Sequence, residues 1–206
     1  SEMCIRDRFK AFVLCILLLG IVGVAAGGVF VKHVIDNTPE VTAKDILPQG
    51  YTTSIVDQNG TVLEQLKDSD SNRVYKKYDE ISKYMGDAFV AIEDERFYKH
   101  NGIDLQGIIR AGVVGVTHGF HFTEGASTLT QQLIKNNVFP NFVNETNSER
   151  FERKIQEQYL ALKIEKQMSK KEILEAYMNT INLGQGCLGV QTAAKRYFNK
   201  DAADLT

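Results

Sequence analysis
Two glutamates in this chain stand where a carboxylate could move a proton or balance a charge instead of only facing water. The first is Glu93, between the apolar-periodic run Tyr84-Met85-Gly86-Asp87-Ala88-Phe89-Val90-Ala91-Ile92 and the segment Asp94-Glu95-Arg96-Phe97-Tyr98-Lys99-His100-Asn101-Gly102. Met85, Phe89 and Ile92 recur at helical spacing, and Glu93 follows Phe89 by four residues and precedes Phe97 by four. The spacing therefore predicts a carboxylate flanked by aromatic rings. Desolvation there would raise its pKa and give a general base or acid usable near neutral pH; the alternative is a solvated acidic cluster that ends a helix. Asp94 points about 100° away and is expected to fix the following turn. The second glutamate is Glu157, expected on a long helix from Glu149 to Lys166 whose apolar stripe is Phe151, Ile155, Tyr159 and Leu162. Glu157 lies off that stripe, with Arg153 and Lys154 one turn before it. Arg153 and Glu157 are either a surface pair worth a few tenths of a kcal/mol or, on a cleft, a phosphate-neutralising cation and a second carboxylate.

Between them, Ser127-Thr128-Leu129-Thr130-Gln131-Gln132-Leu133-Ile134-Lys135-Asn136 reads as a capped helix start. Leu129, Leu133 and Ile134 are expected to face inward, which leaves Thr128, Gln132, Lys135 and Asn136 near one polar face. Hydroxyls, amide N–H groups and a lysine at a helix N-terminus suit an anion such as phosphate, while a merely solvated face is the alternative. His118 and His121 lack a third ligand nearby and make a poor metal site. Phe120 and Phe122, after Val113, Val114 and Val116, suit a surface dipping into a membrane interface; a core-facing helix under a loose lid fits as well. Met168-Ser169-Lys170-Lys171-Glu172-Ile173 is a capping box with a hydrophobic staple, opening a structural helix through Asn179 that stops before Gly184, Gly186 and Gly189.

The elements that must hold these residues read as one domain on an appendage. With 206 residues, 43% of them apolar, the chain can bury one core, and a formal net charge of −2 gives no sign of nucleic-acid binding. Residues 1–10 form a short tail, of which residues 1–8, containing Met3-Cys4-Ile5-Arg6-Asp7, read like a translated sequencing adapter. Residues 11–31 carry no charge and match a transmembrane helix, with Lys10 (and Arg8) suggesting a cytoplasmic N-terminus and an extracytoplasmic remainder. A signal peptide cleaved near Val24-Ala25-Ala26-Gly27 is the rival, weakened by the length of the apolar core. Cys15 follows no lipobox, and three cysteines placed as Cys4, Cys15 and Cys187 give no disulfide framework. Residues 32–50, with Pro39 and Pro48, read as an extended tether; residues 51–80 hold a small hairpin of Tyr51–Val56 and Thr61–Leu66 around Asp57-Gln58-Asn59-Gly60. Residues 81–206 form the mainly α domain, and Asp201–Thr206 reads as the first turn of a helix that is cut short, so the chain is expected to be a fragment lacking its true start and a C-terminal portion.

Five blocks then occur in order: Glu93-Asp94 with Phe97, His100 and Gly102; Gly125 through Leu133 with Lys135-Asn136; Arg153-Lys154 with Glu157; Ile173-Leu174-Glu175 with Tyr177 and Asn179; Gly189-Val190 with Ala193-Ala194, Tyr197-Phe198 and Lys200. In these the chain resembles the family 51 glycosyltransferases, the peptidoglycan polymerase domain of class A penicillin-binding proteins and their monofunctional relatives. Ala126 departs from the second glycine many relatives carry there. The resemblance implies a mainly α, lysozyme-like domain after one transmembrane helix, in the bacterial cell membrane, polymerising lipid II. It implies Glu93 as the base, Glu157 assisting the leaving pyrophosphate directly or through a divalent cation (Mg or Mn), and Lys135 and Arg153 neutralising its charge. Thr128, Gln131, Gln132, Asn136 and Lys154 would complete the substrate site, with Asp94, Phe97, His100, Gly102 and Ser127 supporting it. Implied partners are lipid II, the growing lipid-linked glycan, the bilayer and the cell-wall synthesis or division machinery. A lysozyme-like glycan hydrolase and a non-catalytic membrane-anchored scaffold are the rival readings.

Overall fold
The computed structural model describes residues 2–48, 50, 53–59, 61–66, 73–117, 125–139 and 142–206. The expected mainly α fold is what these residues form. Helix α1 (Glu2–Asp36) contains a stretch, Asp7–Asp36, of mean hydropathy 2.7, long and apolar enough to cross a bilayer. It continues five residues past the expected end at Val31. Its last turns have something to pack on: Val34 is buried, and Phe30 stacks on Phe151 with ring centroids 6.1 Å apart. Asn37 and Thr38 then close the helix by donating from their side chains to the carbonyls of His33 and Val34, at 2.8 and 2.9 Å.

The segment read as a tether is docked rather than loose. Val41 and Ile46 belong to the hydrophobic core, and the Ala43 N–H donates to Gln167 at 3.2 Å. Two apolar side chains in a nominal spacer are enough to pin it. The expected hairpin forms from β1 (Thr53–Val56) and β2 (Val62–Leu66), antiparallel, with a register shift at Ile55/Val56. Asp57 organises its turn, its carboxylate accepting from the N–H groups of Asn59 (2.8 Å) and Thr61 (2.9 Å); Tyr51 and Gly60 lie outside the described residues.

Among the described residues six α-helices follow: α2 (Lys83–Glu93), α3 (Leu105–Thr117), α4 (Leu129–Val138), α5 (Asn147–Ile164), α6 (Lys170–Thr180) and α7 (Val190–Phe198). Helix α4 packs between α5 and α6, and Leu129, Leu133, Ile134, Leu160, Ile164, Ile173 and Leu174 are fully buried where they meet. Glu175 and Asn179 of α6 stitch down the preceding chain: Tyr78 N–H donates to Glu175 at 2.7 Å, and Lys76 exchanges bonds of 2.9 and 2.8 Å with the Asn179 amide. The capping box at Ser169 and Glu172 forms as expected, and a second, Thr146 with Glu149, starts α5.

The inward face of α5 differs from the expected one. Arg153, Glu157, Leu160, Ala161 and Ile164 are buried, while Phe151 and Leu162 are exposed. This helix has neighbours on two sides, and Phe151 serves α1. In α3 the small residues Gly107, Ala111 and Gly115 face the body, and Leu105, Ile109, Val113 and Val116 are exposed. The Val113/Val116 face thus points outward, as the membrane-interface reading requires; Phe120 and Phe122 lie outside the described residues.

Candidate active site
The site begins where α2 ends. Glu93 is its last residue and is exposed, as are Ala91 and Ile92 just before it. The aromatic pocket expected around Glu93 does not form. That expectation required the helix to continue to Phe97, but Asp94 takes an extended φ of −160° and the chain turns away. Phe97 is consequently buried in the core, with the Lys170 ammonium 4.4 Å from its ring, and Phe89 packs edge-on against Tyr177 at 5.4 Å. What holds the Glu93 carboxylate is an amide: Gln132 Nε2 of α4 donates to Oε2 at 2.9 Å.

Asp94 fixes the turn, as expected, and does more. Its buried carboxylate accepts from His100 Nε2 at 2.9 Å and from the Leu129 N–H, at the start of α4, at 3.0 Å. Gly102 N–H donates to His100 Nδ1 at 3.1 Å, so the ring proton sits on Nε2 and points at Asp94. Gly102 itself has φ +92°, and a Cβ there would come within 2.8 Å of the Ala161 backbone, so only glycine fits. Its carbonyl accepts from Thr128 Oγ1 (2.8 Å) and Gln131 Nε2 (3.0 Å).

These bonds correct the reading of α4 as an open anion site. Its N-terminal dipole is already met by the Asp94 carboxylate, and Thr128 Oγ1 caps the Gln131 N–H at 3.2 Å. Thr128 and Gln131, expected to bind substrate, are buried, with Thr128 Oγ1 engaged by Gly102 and the cap and Gln131 Nε2 by Gly102. They shape the wall of the cleft instead. The residues of α4 left toward it are Gln132, Lys135 and Asn136, all half-buried.

On α5, Glu157 is fully buried and accepts from both Arg153 Nη1 and Lys154 Nζ, the latter at 2.7 Å. Lys154 also donates to Ser127 Oγ at 3.0 Å, which ties α5 to the segment before α4. The other edge of Arg153 is clasped by Glu145, Nε to Oε1 at 2.5 Å and Nη2 to Oε2 at 2.9 Å. The sequence reading missed Glu145. The signal was the Thr146-Asn147-Ser148-Glu149 capping box, which starts the helix two residues earlier than expected and leaves Glu145 just outside it, facing back along α5. Arg153 is therefore fully engaged by two carboxylates, which corrects its expected role as a free cation for phosphate.

Lys135 differs. Among the described residues no carboxylate pairs with it; its Nζ lies 4.8 Å from the centre of the Phe142 ring, and the Arg153 guanidinium is 5.7 Å from the same ring. Burial, then repulsion from Lys154, holds the Lys135 ammonium below the usual lysine range, with Glu157, Arg153 and Glu93 also acting on it. Lys135 thus stands in the field of both glutamates. A cavity beside Glu93 is lined by Asp94, Arg96, Asp104, Arg110 and residues 125–128, with Arg96 pairing with Asp104 at 2.6 Å.

The donor set does not suit a protein-held Mg or Mn. Both Glu157 oxygens are taken by cations, and no group of three His, Cys, Asp or Glu among the described residues could hold an ion; His118 and His121 lie outside them. What the arrangement can do is accept a proton at an exposed, amide-held carboxylate while lysines a short way along the cleft meet an anion.

The comparisons with known proteins accord with this chemistry. A family described as transglycosylase matches residues 59–206, well over half of the chain. Penicillin-binding protein 1A of Clostridium perfringens (strain 13 / Type A) is 42% identical over 208 residues, covering 100% of this chain and 30% of that protein. The protein of the same name from Clostridium novyi (strain NT) is 42% identical over 169 residues, 81% of this chain and 19% of that one. That from Rickettsia bellii (strain RML369-C) is 38% identical over 156 residues, 75% of this chain and 19% of that one. The chain thus spans less than a third of the length of these curated relatives.

Proposed function
The chain belongs to the transglycosylase family, and from that premise we propose that it polymerises lipid II into β-1,4 glycan strands, as a peptidoglycan glycosyltransferase of bacterial cell-wall synthesis. Glu93 takes the proton from the 4-hydroxyl of the acceptor's N-acetylglucosamine. That oxygen bonds to the anomeric carbon of the lipid-linked chain from the face opposite its pyrophosphate, the anomeric C–O bond breaks, and its electron pair leaves on undecaprenyl pyrophosphate. The configuration inverts. Lys135 and Lys154 neutralise the leaving anion, and such preorganised cations are worth most in a partly desolvated cleft. Arg153 acts one step removed: clamped by Glu145, it fixes Glu157, and Glu157 fixes Lys154. Gln132 aims Glu93, and Asn136 lines the same face.

The observation that carries this reading is the exposed Glu93 carboxylate in the same field as Lys135 and the Arg153–Glu157–Lys154 cluster. A glycan hydrolase would use a comparable glutamate, but its acceptor is water and its leaving group a sugar, so it has no use for clustered cations; a scaffold has no use for either. The apolar helix α1 and the outward apolar face of α3 support single-pass anchoring in the cell membrane with the domain on the extracytoplasmic side, where a polyprenyl-linked substrate lies. Cell-wall synthesis or division proteins fit as partners there.

The test is to incubate the full-length protein in detergent with labelled lipid II and follow both products. Long strands appearing with stoichiometric undecaprenyl pyrophosphate are expected. Shortening of preformed glycan would favour the hydrolase, and binding without turnover the scaffold.

A further inference from the structure
We propose that Tyr177 is a positioning residue for Glu93, acting through the side-chain amide of Gln132; this rests on the reading of Glu93 as the base. Tyr177 lies on α6 and is fully buried, yet its hydroxyl reaches the edge of the cleft and donates to Gln132 Oε1 at 3.1 Å. The same amide donates from Nε2 to Glu93 Oε2 at 2.9 Å. Phe89, one turn before Glu93 on α2, packs edge-on against the Tyr177 ring at 5.4 Å. Three helices far apart in sequence therefore meet at one hydrogen-bonded line, ending on the carboxylate at the tip of α2.

The line has a direction. A carboxylate only accepts, a tyrosine hydroxyl can do either, and a glutamine amide turned by 180° exchanges its donor for its acceptor with almost no change of shape. Glu93 therefore draws the NH2 end of Gln132, which leaves Oε1 toward Tyr177, and the tyrosine donates to it. That second bond anchors the far end of the amide and so limits where its NH2 can hold the Glu93 carboxylate. Burial, and then the charge of Glu93, push the Tyr177 hydroxyl up, so it remains a donor throughout the range in which the enzyme works. The packing itself needs only the ring: phenylalanine would meet Phe89 equally well. The hydroxyl is thus an orienting group added to a core side chain. It matters because Glu93 ends its helix and is exposed, with little else to hold it, and small displacements of a reacting group cost large factors in rate.

The experiment measures initial rates of strand formation from labelled lipid II by the full-length protein, comparing wild type, Glu93→Gln, Tyr177→Phe, Gln132→Met and the Tyr177→Phe/Gln132→Met double variant. Tyr177→Phe is expected to lower kcat roughly tenfold, with KM for lipid II and Tm unchanged. In the Gln132→Met background it is expected to cost nothing further, because its only route to Glu93 has gone. Losses that multiply in the double variant, wild-type kcat in Tyr177→Phe, or a Tyr177→Phe protein that does not fold would each overturn the assignment and make the hydroxyl a structural one. Glu93→Gln separates the two readings. If it keeps wild-type turnover, the base assignment has failed and the positioning role falls with it; if it is inactive while Tyr177→Phe is not impaired, only the role of Tyr177 is lost.

Discussion

Replacing Lys135 by methionine should separate substrate binding from stability. In the fold this lysine has in its favour the Phe142 ring at 4.8 Å, a contact worth about 0.5–1 kcal/mol, and the charges of Glu157 and Glu93. Against these stand burial and repulsion from Lys154, which hold its pKa below the usual 10.5. A cation whose folded pKa is depressed penalises the fold while charged, and the penalty is relieved as pH rises through the folded value towards 10.5. Methionine keeps the length of the side chain and removes both effects. The two nearly cancel, so Tm near neutral pH should stay within about 2 °C of wild type, since about 1 kcal/mol moves a domain of this size by only 2–4 °C. The wild type should also gain more stability than the variant on going from neutral to alkaline pH. Binding has no such cancellation. A charge-assisted bond to phosphate is worth about 1.5–3 kcal/mol, so KM for lipid II should rise roughly 10- to 150-fold. Initial-rate kinetics with labelled lipid II and a thermal melt of the same preparation supply both numbers. An unchanged KM beside a Tm lowered by more than about 5 °C would make Lys135 a structural residue and remove it from the phosphate site.

Gly102→Ala should cost about 2–6 kcal/mol, from a side chain at φ +92° and a Cβ forced against the Ala161 backbone, and should be visible as poor soluble yield or a Tm lowered by more than about 5 °C. Gly86→Ala is the control: its Cβ would meet Leu174 Cδ2 at an ordinary 3.5 Å inside α2, and a gain of about 0.5–1 kcal/mol in chemical denaturation is expected. Asp94→Ala leaves the Leu129 N–H and the His100 Nε2–H buried without an acceptor, a loss of about 2–5 kcal/mol that a thermal melt would report as a fall of about 5–20 °C. Arg96 holds the Asp104 carboxyl below its usual 3.8, so the stabilisation is complete above that value and is lost as pH falls through the lower folded one. Denaturation midpoints should therefore drop more steeply below about pH 4 in wild type than in Asp104→Asn.

Local signals were legible and long-range ones were not. The hairpin, the Ser169 capping box and the inward Leu129, Leu133 and Ile134 follow from spacing alone, because each depends on residues a few places apart. Of the two settings weighed for Glu93, the exposed end of a helix is the one that forms, because Asp94 turns the chain before Phe97 can stack on the same face. The anion at the N-terminus of α4 turned out to be Asp94, thirty-five residues earlier in the chain, a contact that only the fold creates. Arg153 and Glu157 were read either as a surface pair or as a phosphate-neutralising cation with a second carboxylate, and Glu145, which closes the other edge of the guanidinium from outside the helix, lay beyond that local pattern. For α5, periodicity reported an apolar stripe without saying which of two neighbours it serves. Val41 and Ile46 join the core from inside a segment whose prolines suggested a spacer.

The central claim is that Glu93 removes the acceptor proton, and the most direct test compares Glu93→Gln with wild type in lipid II turnover after binding and folding have been checked on both. Glutamine preserves the size of the side chain and can still pair with Gln132, but it cannot take a proton. Normal folding is expected, with lipid II binding within about threefold of wild type and strand formation reduced by at least about a hundredfold. Substantial strand formation by the well-folded variant would contradict that claim and move the base elsewhere in the cleft.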